Sequence, residues 1–89
     1  MVTGIVLVNV ERSMLQGVID GLRNIKGIAE VYAVAGEYDL VLMIRVKDNA
    51  QLADIIANQL TRDRGLIHTK TLVSLKAYSD LDLEKVFLG

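Results

Sequence analysis

Eighty-nine residues carrying a formal net charge of −1, ten basic against eleven acidic, fit one domain and leave no electrostatic footprint for a phosphate backbone, so direct nucleic-acid binding is not expected. Cysteine is absent and histidine occurs once, which excludes a disulfide framework and a thiolate nucleophile and removes most metal centres; neither a metal nor a cofactor is expected. Hydrophobic residues reach 52% although aromatics are only 4%, so the core is aliphatic and part of the apolar excess is expected to face a partner.

The chain opens Met1-Val2-Thr3-Gly4 without a basic leader, and no uncharged apolar run approaches the roughly 18 residues of a membrane span, so a soluble cytoplasmic protein without a membrane partner is expected. Thr3 to Val10 alternates Ile5 and Leu7 on one side with Val6, Val8 and Val10 on the other; a strand apolar on both faces belongs in the middle of a sheet. Ser13-Met14-Leu15-Gln16 has capping-box spacing, and Met14 or Leu15, Val18, Leu22 and Ile25 follow at helical intervals. These predict a helix from about Met14 to Lys26, stopped by Gly27.

A second strand is expected over Ile28 to Ala35, then the polar turn Gly36-Glu37-Tyr38-Asp39, then a third strand over Leu40 to Val46, apolar on both sides except at Arg45. Asp48-Asn49-Ala50-Gln51 repeats the capping logic ahead of Leu52, Ile56 and Leu60, with Ala53, Ile55 and Ala57 alongside, so a second helix should end near Arg62 or Arg64, before Gly65. Leu66 to Leu75 reads as the last strand, and Ser79 to Gly89 as a tail able to form one amphipathic turn.

The order β-α-β-β-α-β, each half running strand, capped helix, glycine, strand, predicts an α+β, ferredoxin-like fold: a four-stranded antiparallel sheet with two helices on one face. A single domain spans residues 1–89, its core over 3–76. Two helices cover one face only, whereas the central strands are apolar on both, so a sheet-to-sheet dimer is expected at minimum.

Nucleophilic catalysis finds no support: Ser13, Ser74 and Ser79 have no histidine at a recognisable spacing, and His68 is read as a partly exposed strand residue. No catalytic residues are assigned. The turn offers carboxylates, a phenol and freed backbone amides, which suit both ends of a zwitterionic amino acid, and Thr69 and Thr71 add hydroxyls if a neighbouring subunit brings them close.

The stretch Val31-Tyr32-Ala33-Val34-Ala35-Gly36-Glu37-Tyr38-Asp39-Leu40 resembles the signature region of the Lrp/AsnC effector-binding (RAM) domain. Gly65 to Val73 resembles the closing strand of that domain, and Val6 to Val10 its first. The resemblance covers about residues 3 to 76. It implies a homo-oligomer, a dimer assembled further as a tetramer of dimers, with an amino-acid effector held between dimers.

By the same likeness Ala35, Gly36, Glu37, Tyr38 and Asp39 are implied as effector contacts, with Thr69 and Thr71 as further ones. Family transcription regulators carry an N-terminal helix-turn-helix domain, whereas this chain starts at strand 1; it resembles the family's stand-alone modules, with full-length Lrp/AsnC regulators as partners in mixed assemblies. The alternatives are a small dimeric ferredoxin-like barrel enzyme of monooxygenase or isomerase type, and a purely structural assembly module.

Overall fold

The strand with apolar residues on both faces takes the position that such a strand demands. In the computed structural model, which describes residues 1–78, the elements run β1 (Val2–Val10), α1 (Leu15–Arg23), β2 (Ile28–Ala33), β3 (Leu40–Val46), α2 (Asn49–Asp54) and β4 (Leu66–Val73). A 3-10 turn (Arg12–Met14) precedes α1, and a π turn (Ile55–Gln59) and a second 3-10 turn (Leu60–Arg62) extend α2. The antiparallel sheet has the order β2-β3-β1-β4, so β1 and β3 are central. This is the ferredoxin-like arrangement expected from the sequence.

Alternation along the strands separates the two faces. Val6 and Val8 on β1 stand opposite Leu42 and Leu40 on β3, all of them fully buried under the helices. Val18 and Leu22 of α1, Leu52 of α2 and Ile55 of the π turn close the same aliphatic core, each large side chain contributing about 1.5–3 kcal/mol of burial. Among the described residues no polar or charged side chain is buried there. Ile5, Leu7, Val41 and Met43 point to the other face, where no helix of the described residues lies, and are only half-buried.

The second helix starts as predicted. The Asp48 carboxylate accepts from the Gln51 backbone N–H at 2.9 Å, and the Gln51 side chain accepts from the Lys47 N–H at 2.7 Å. The first does not. Met14 N–H donates to the Glu11 carbonyl at 2.8 Å, which draws Ser13 into the 3-10 turn; α1 then begins at Leu15 without a side-chain cap, and the Gln16 amide donates to Asp20 instead. The helix also ends earlier than expected, at Arg23, and Met14 is left substantially exposed rather than on the core stripe.

The expected stripe Leu52, Ile56, Leu60 is altered for a physical reason. Leu60 N–H reaches back five residues to the Ile55 carbonyl, and this wider turn brings Ile55 onto the face of Leu52 and Leu60, leaving Ile56 partly buried at its edge. The outer strands are shorter than predicted: β2 stops at Ala33 and β4 at Val73. Gly27, at φ +105°, turns the chain from α1 into β2 in a conformation that side chains rarely adopt, and its carbonyl accepts from Arg45 N–H at 2.8 Å. The predicted tail Ser79 to Gly89 lies outside the described residues.

Candidate functional site

The segment between β2 and β3 is built onto the end of β1. Val34 N–H donates to the Asp39 carbonyl at 3.0 Å, closing the loop on itself. Asp39 N–H then donates to the Val8 carbonyl at 2.9 Å, extending the β1–β3 ladder by one bond. One oxygen of the Asp39 carboxylate accepts from Val10 N–H at 2.8 Å. From the intervening residue, the Asn9 side-chain amide donates to the Glu37 carbonyl at 2.8 Å. Gly36 sits at φ +135°, a backbone state open to glycine, and apart from its chain neighbours no described residue comes within 4 Å of where a Cβ would stand.

Val8, Asn9 and Val10 therefore hold the whole loop. Ala35, Gly36 and Glu37 are exposed at its tip, and Tyr38 and Asp39 are half-buried at its base. Of these, Asp39 is bound on three of its polar groups, whereas the backbone N–H groups of Ala35, Gly36, Glu37 and Tyr38 have no partner among the described residues. A strip of unpaired donors at an exposed tip suits an anionic ligand group.

Thr69 and Thr71 belong to the β4 edge of the same sheet. Thr69 stands opposite Val8 and Thr71 opposite Val6, which puts both on the helix-covered side. Thr69 is exposed and Thr71 half-buried. No hydrogen bond among the described residues joins either one to the turn; within one chain Thr69 shares with it only Val8, beside which both stand, and Thr71, opposite Val6, shares no anchor with it. His68 is exposed and faces Asn9 across the ladder, on the open side.

Asn9 is the residue that the sequence reading missed. Its signal was present: it is the one polar side chain in the run Ile5 to Val10. What the sequence does not reveal is its partner 28 positions away.

The open face of the sheet carries apolar rows flanked by charge. Leu7 lies between Val41 and Lys70, and Ile5 between Met43 and Leu72. On the β2 flank Tyr32 donates its hydroxyl to Glu30, and Arg45 pairs with Glu30 at 2.7 Å. The Tyr32 hydroxyl first, and the Arg45 guanidinium second, hold the Glu30 carboxyl below its usual range, and the carboxylate in turn raises the Tyr32 phenol. A cleft of about 1020 Å³ lies at the opposite end of the sheet from the turn, lined by Lys26, Arg45, Lys47, Gln51, Asp54 and Ile55 among others. None of the predicted site residues lines it. Asn58 and then Gln59 donate to Asp54 and hold its carboxyl below the usual range.

Comparison with known proteins places these features in a family context. The family model described as the Lrp/AsnC ligand binding domain matches residues 3–82. An uncharacterized helix-turn-helix-type transcriptional regulator of Pyrococcus horikoshii, PH1916, is 37% identical over 57 residues, which are 64% of this chain and 38% of that protein. The matched part is thus little more than a third of that relative's length. Among solved structures, TTHA0845 from Thermus thermophilus is 33% identical with a TM-score of 0.83, over 89% of this chain and 99% of that one. A Neisseria meningitidis transcriptional regulator, NMB0573, solved as a complex with L-Met, shares the fold at a TM-score of 0.75 and 14% identity, over 97% of this chain and 59% of that one.

Proposed function

The chain belongs to the Lrp/AsnC ligand-binding domain family, and from that membership we propose that it binds an amino acid at the loop Ala35–Asp39 and associates with further copies through the open face of its sheet. The family is one of ligand-binding domains of transcription regulators and not of enzymes. The observation that carries the reading is the loop itself. It is pinned to Val8, Asn9 and Val10, yet presents at an exposed tip the Glu37 carboxylate and backbone N–H groups that have no partner among the described residues. Such a tip offers a donor row for an α-carboxylate and a negative group for an α-ammonium. The neisserial regulator solved with L-Met supports the ligand class.

A loop tip this exposed forms no enclosed pocket by itself, so the remaining walls come from neighbouring copies, Thr69 and Thr71 among them. Burial of Ile5, Leu7, Val41 and Met43 against a second sheet supplies the dimer, and dimers assemble further, into four-dimer rings or into mixed assemblies with full-length regulators. An amino acid of about nine heavy atoms at roughly 0.5–0.9 kcal/mol per atom binds with about −4 to −8 kcal/mol, millimolar to micromolar, as suits a metabolite sensor. Because the bound amino acid would touch more than one copy, binding and assembly strengthen each other by the same free energy.

The test is light-scattering mass, with thermal shift, on the protein alone and with each of the twenty amino acids. A mass of at least a dimer that changes, or is stabilised, with one or a few of them is expected. Indifference to all twenty would leave an assembly module, and a monomer would remove the sheet-face interface.

A further inference from the structure

We propose that Asn9 is a positioning residue for carboxylate recognition: by gripping the Glu37 carbonyl it fixes the Glu37–Tyr38 peptide so that the Tyr38 N–H is presented to the carboxylate of the bound amino acid. The inference rests on the reading of the loop as the effector contact and names the atom that would recognise the α-carboxylate.

The geometry follows from one hydrogen bond. Asn9 Nδ2 lies 2.8 Å from the Glu37 carbonyl oxygen; because that oxygen only accepts, the side-chain atom facing it must be the amide nitrogen. The chain contains no cis peptide bond among the described residues, so the C=O of Glu37 and the N–H of Tyr38 point in opposite directions. A carbonyl held toward Asn9 therefore turns the Tyr38 N–H away from it. That N–H finds no acceptor among the described residues, and a donor left without a protein partner is open to an acceptor from outside.

The neighbouring bonds show why a side chain is needed at this point. Asp39 is fixed through its N–H to the Val8 carbonyl, which continues the sheet ladder, and through its carboxylate to the Val10 N–H. Closer to the tip, Gly36 at φ +135° marks a backbone with wide freedom of rotation. The Glu37–Tyr38 peptide lies between these two regimes. Without the Asn9 amide nothing described holds its plane, and rotation of the plane would turn the Tyr38 N–H inward and the Glu37 carbonyl outward. That exchange replaces a donor by an acceptor where a carboxylate would sit. Asn9 also shares the open face with Ile5 and Leu7, so a second copy docking on that face would cover the grip and secure it.

The experiment uses Asn9→Asp, nearly isosteric but without a donor at neutral pH, and Asn9→Ala as a second variant. The first readout is NMR of the unliganded chain. In the variants, exchange broadening or large shifts confined to the Glu37 carbonyl carbon and the Tyr38 amide are expected, with Val10 and Asp39 unchanged; a Tyr38 amide identical to the wild type overturns the proposal. The second readout compares L-methionine, and any other amino acid that stabilises the wild type, with its carboxamide. Asn9→Ala, which removes the donor without adding a charge, should weaken the amino acid about tenfold and leave the carboxamide within about twofold, because only the former offers a charged acceptor. Equal weakening of both would make Asn9 merely structural and overturn the proposal. A wild type that binds no amino acid at all would instead remove the effector reading, with the NMR readout still deciding whether Asn9 fixes the peptide.

Discussion

The carboxylate of Asp39 accepts a hydrogen bond from the backbone N–H of Val10 at 2.8 Å, across 29 residues of sequence. A residue whose type suggests a ligand contact is thus also an anchor of the loop that carries the site. Asp39→Ala leaves the Val10 donor without its partner in a partly buried place, at a cost of about 1–3 kcal/mol. Asp39→Asn keeps an acceptor oxygen and should cost less. Thermal denaturation of the two separates the roles: a lower melting temperature is expected for Asp39→Ala, by roughly 4–8 °C per kcal/mol lost, and a smaller drop for Asp39→Asn. Equal stabilities of Asp39→Ala and wild type would remove the anchor.

Gly36→Ala tests the loop from its other end. None of the described residues obstructs a Cβ there, so the cost comes from the backbone at φ +135°, roughly 1–3 kcal/mol. Urea denaturation should show a lower midpoint with an unchanged slope, since the surface exposed on unfolding stays the same. Because the strain is confined to the loop tip, amide exchange at Val6 and Leu42 should keep its order relative to the rest of the core.

On the open face, Leu7 is the centre of the row Val41, Leu7, Lys70. Leu7→Glu places a charge where a second sheet would dry it, and desolvating an unpaired carboxylate costs several kcal/mol. The expected result is a light-scattering mass near the 9.8 kDa of one chain, with the circular dichroism of the wild type. An oligomer that persists would move the interface off this face.

The Glu30, Tyr32 and Arg45 cluster predicts a pH response. Glu30 is held below its ordinary value, about 4.3, by the Tyr32 hydroxyl first and Arg45 second. A carboxyl whose folded value lies below its unfolded one adds stability above the unfolded value and loses it as pH falls through the folded value. In an NMR titration the Glu30 midpoint should therefore rise in Tyr32→Phe, and the stability difference between Tyr32→Phe and wild type should be larger at pH 7 than below the folded midpoint. A Glu30 midpoint that does not move in Tyr32→Phe would contradict the assignment.

How much of this was legible in the sequence depended on how far apart the interacting residues lie. The alternation of Ile5 and Leu7 against Val6 and Val8 located a central strand, because faces follow from a period of two; β3 was read to its ends, and Asp48 announced a cap made within three residues. The π turn was not legible. Its five-residue return from Leu60 to Ile55 follows from how the helix meets the sheet, and no residue type marks it. Ser13 had the right spacing for a cap but was captured by the bond between Met14 and Glu11, while Glu11 N–H was itself tied to Gly65, far along the chain. At the candidate site the residue types of the loop were readable. The grip of Asn9 on Glu37 and of Asp39 on Val10 was not, because each joins segments that meet only once the sheet has formed.

The strand order also bears on how the protein is made. Val8 pairs with Leu40 on one side and Thr69 on the other, so the first of these elements to be synthesised receives its second neighbour from the last. Pairings this remote in sequence pay their loop-closure entropy late and slow the final step. Until Val73 has left the ribosome, β1 has one bare edge, so folding is expected to finish only after translation has passed that residue.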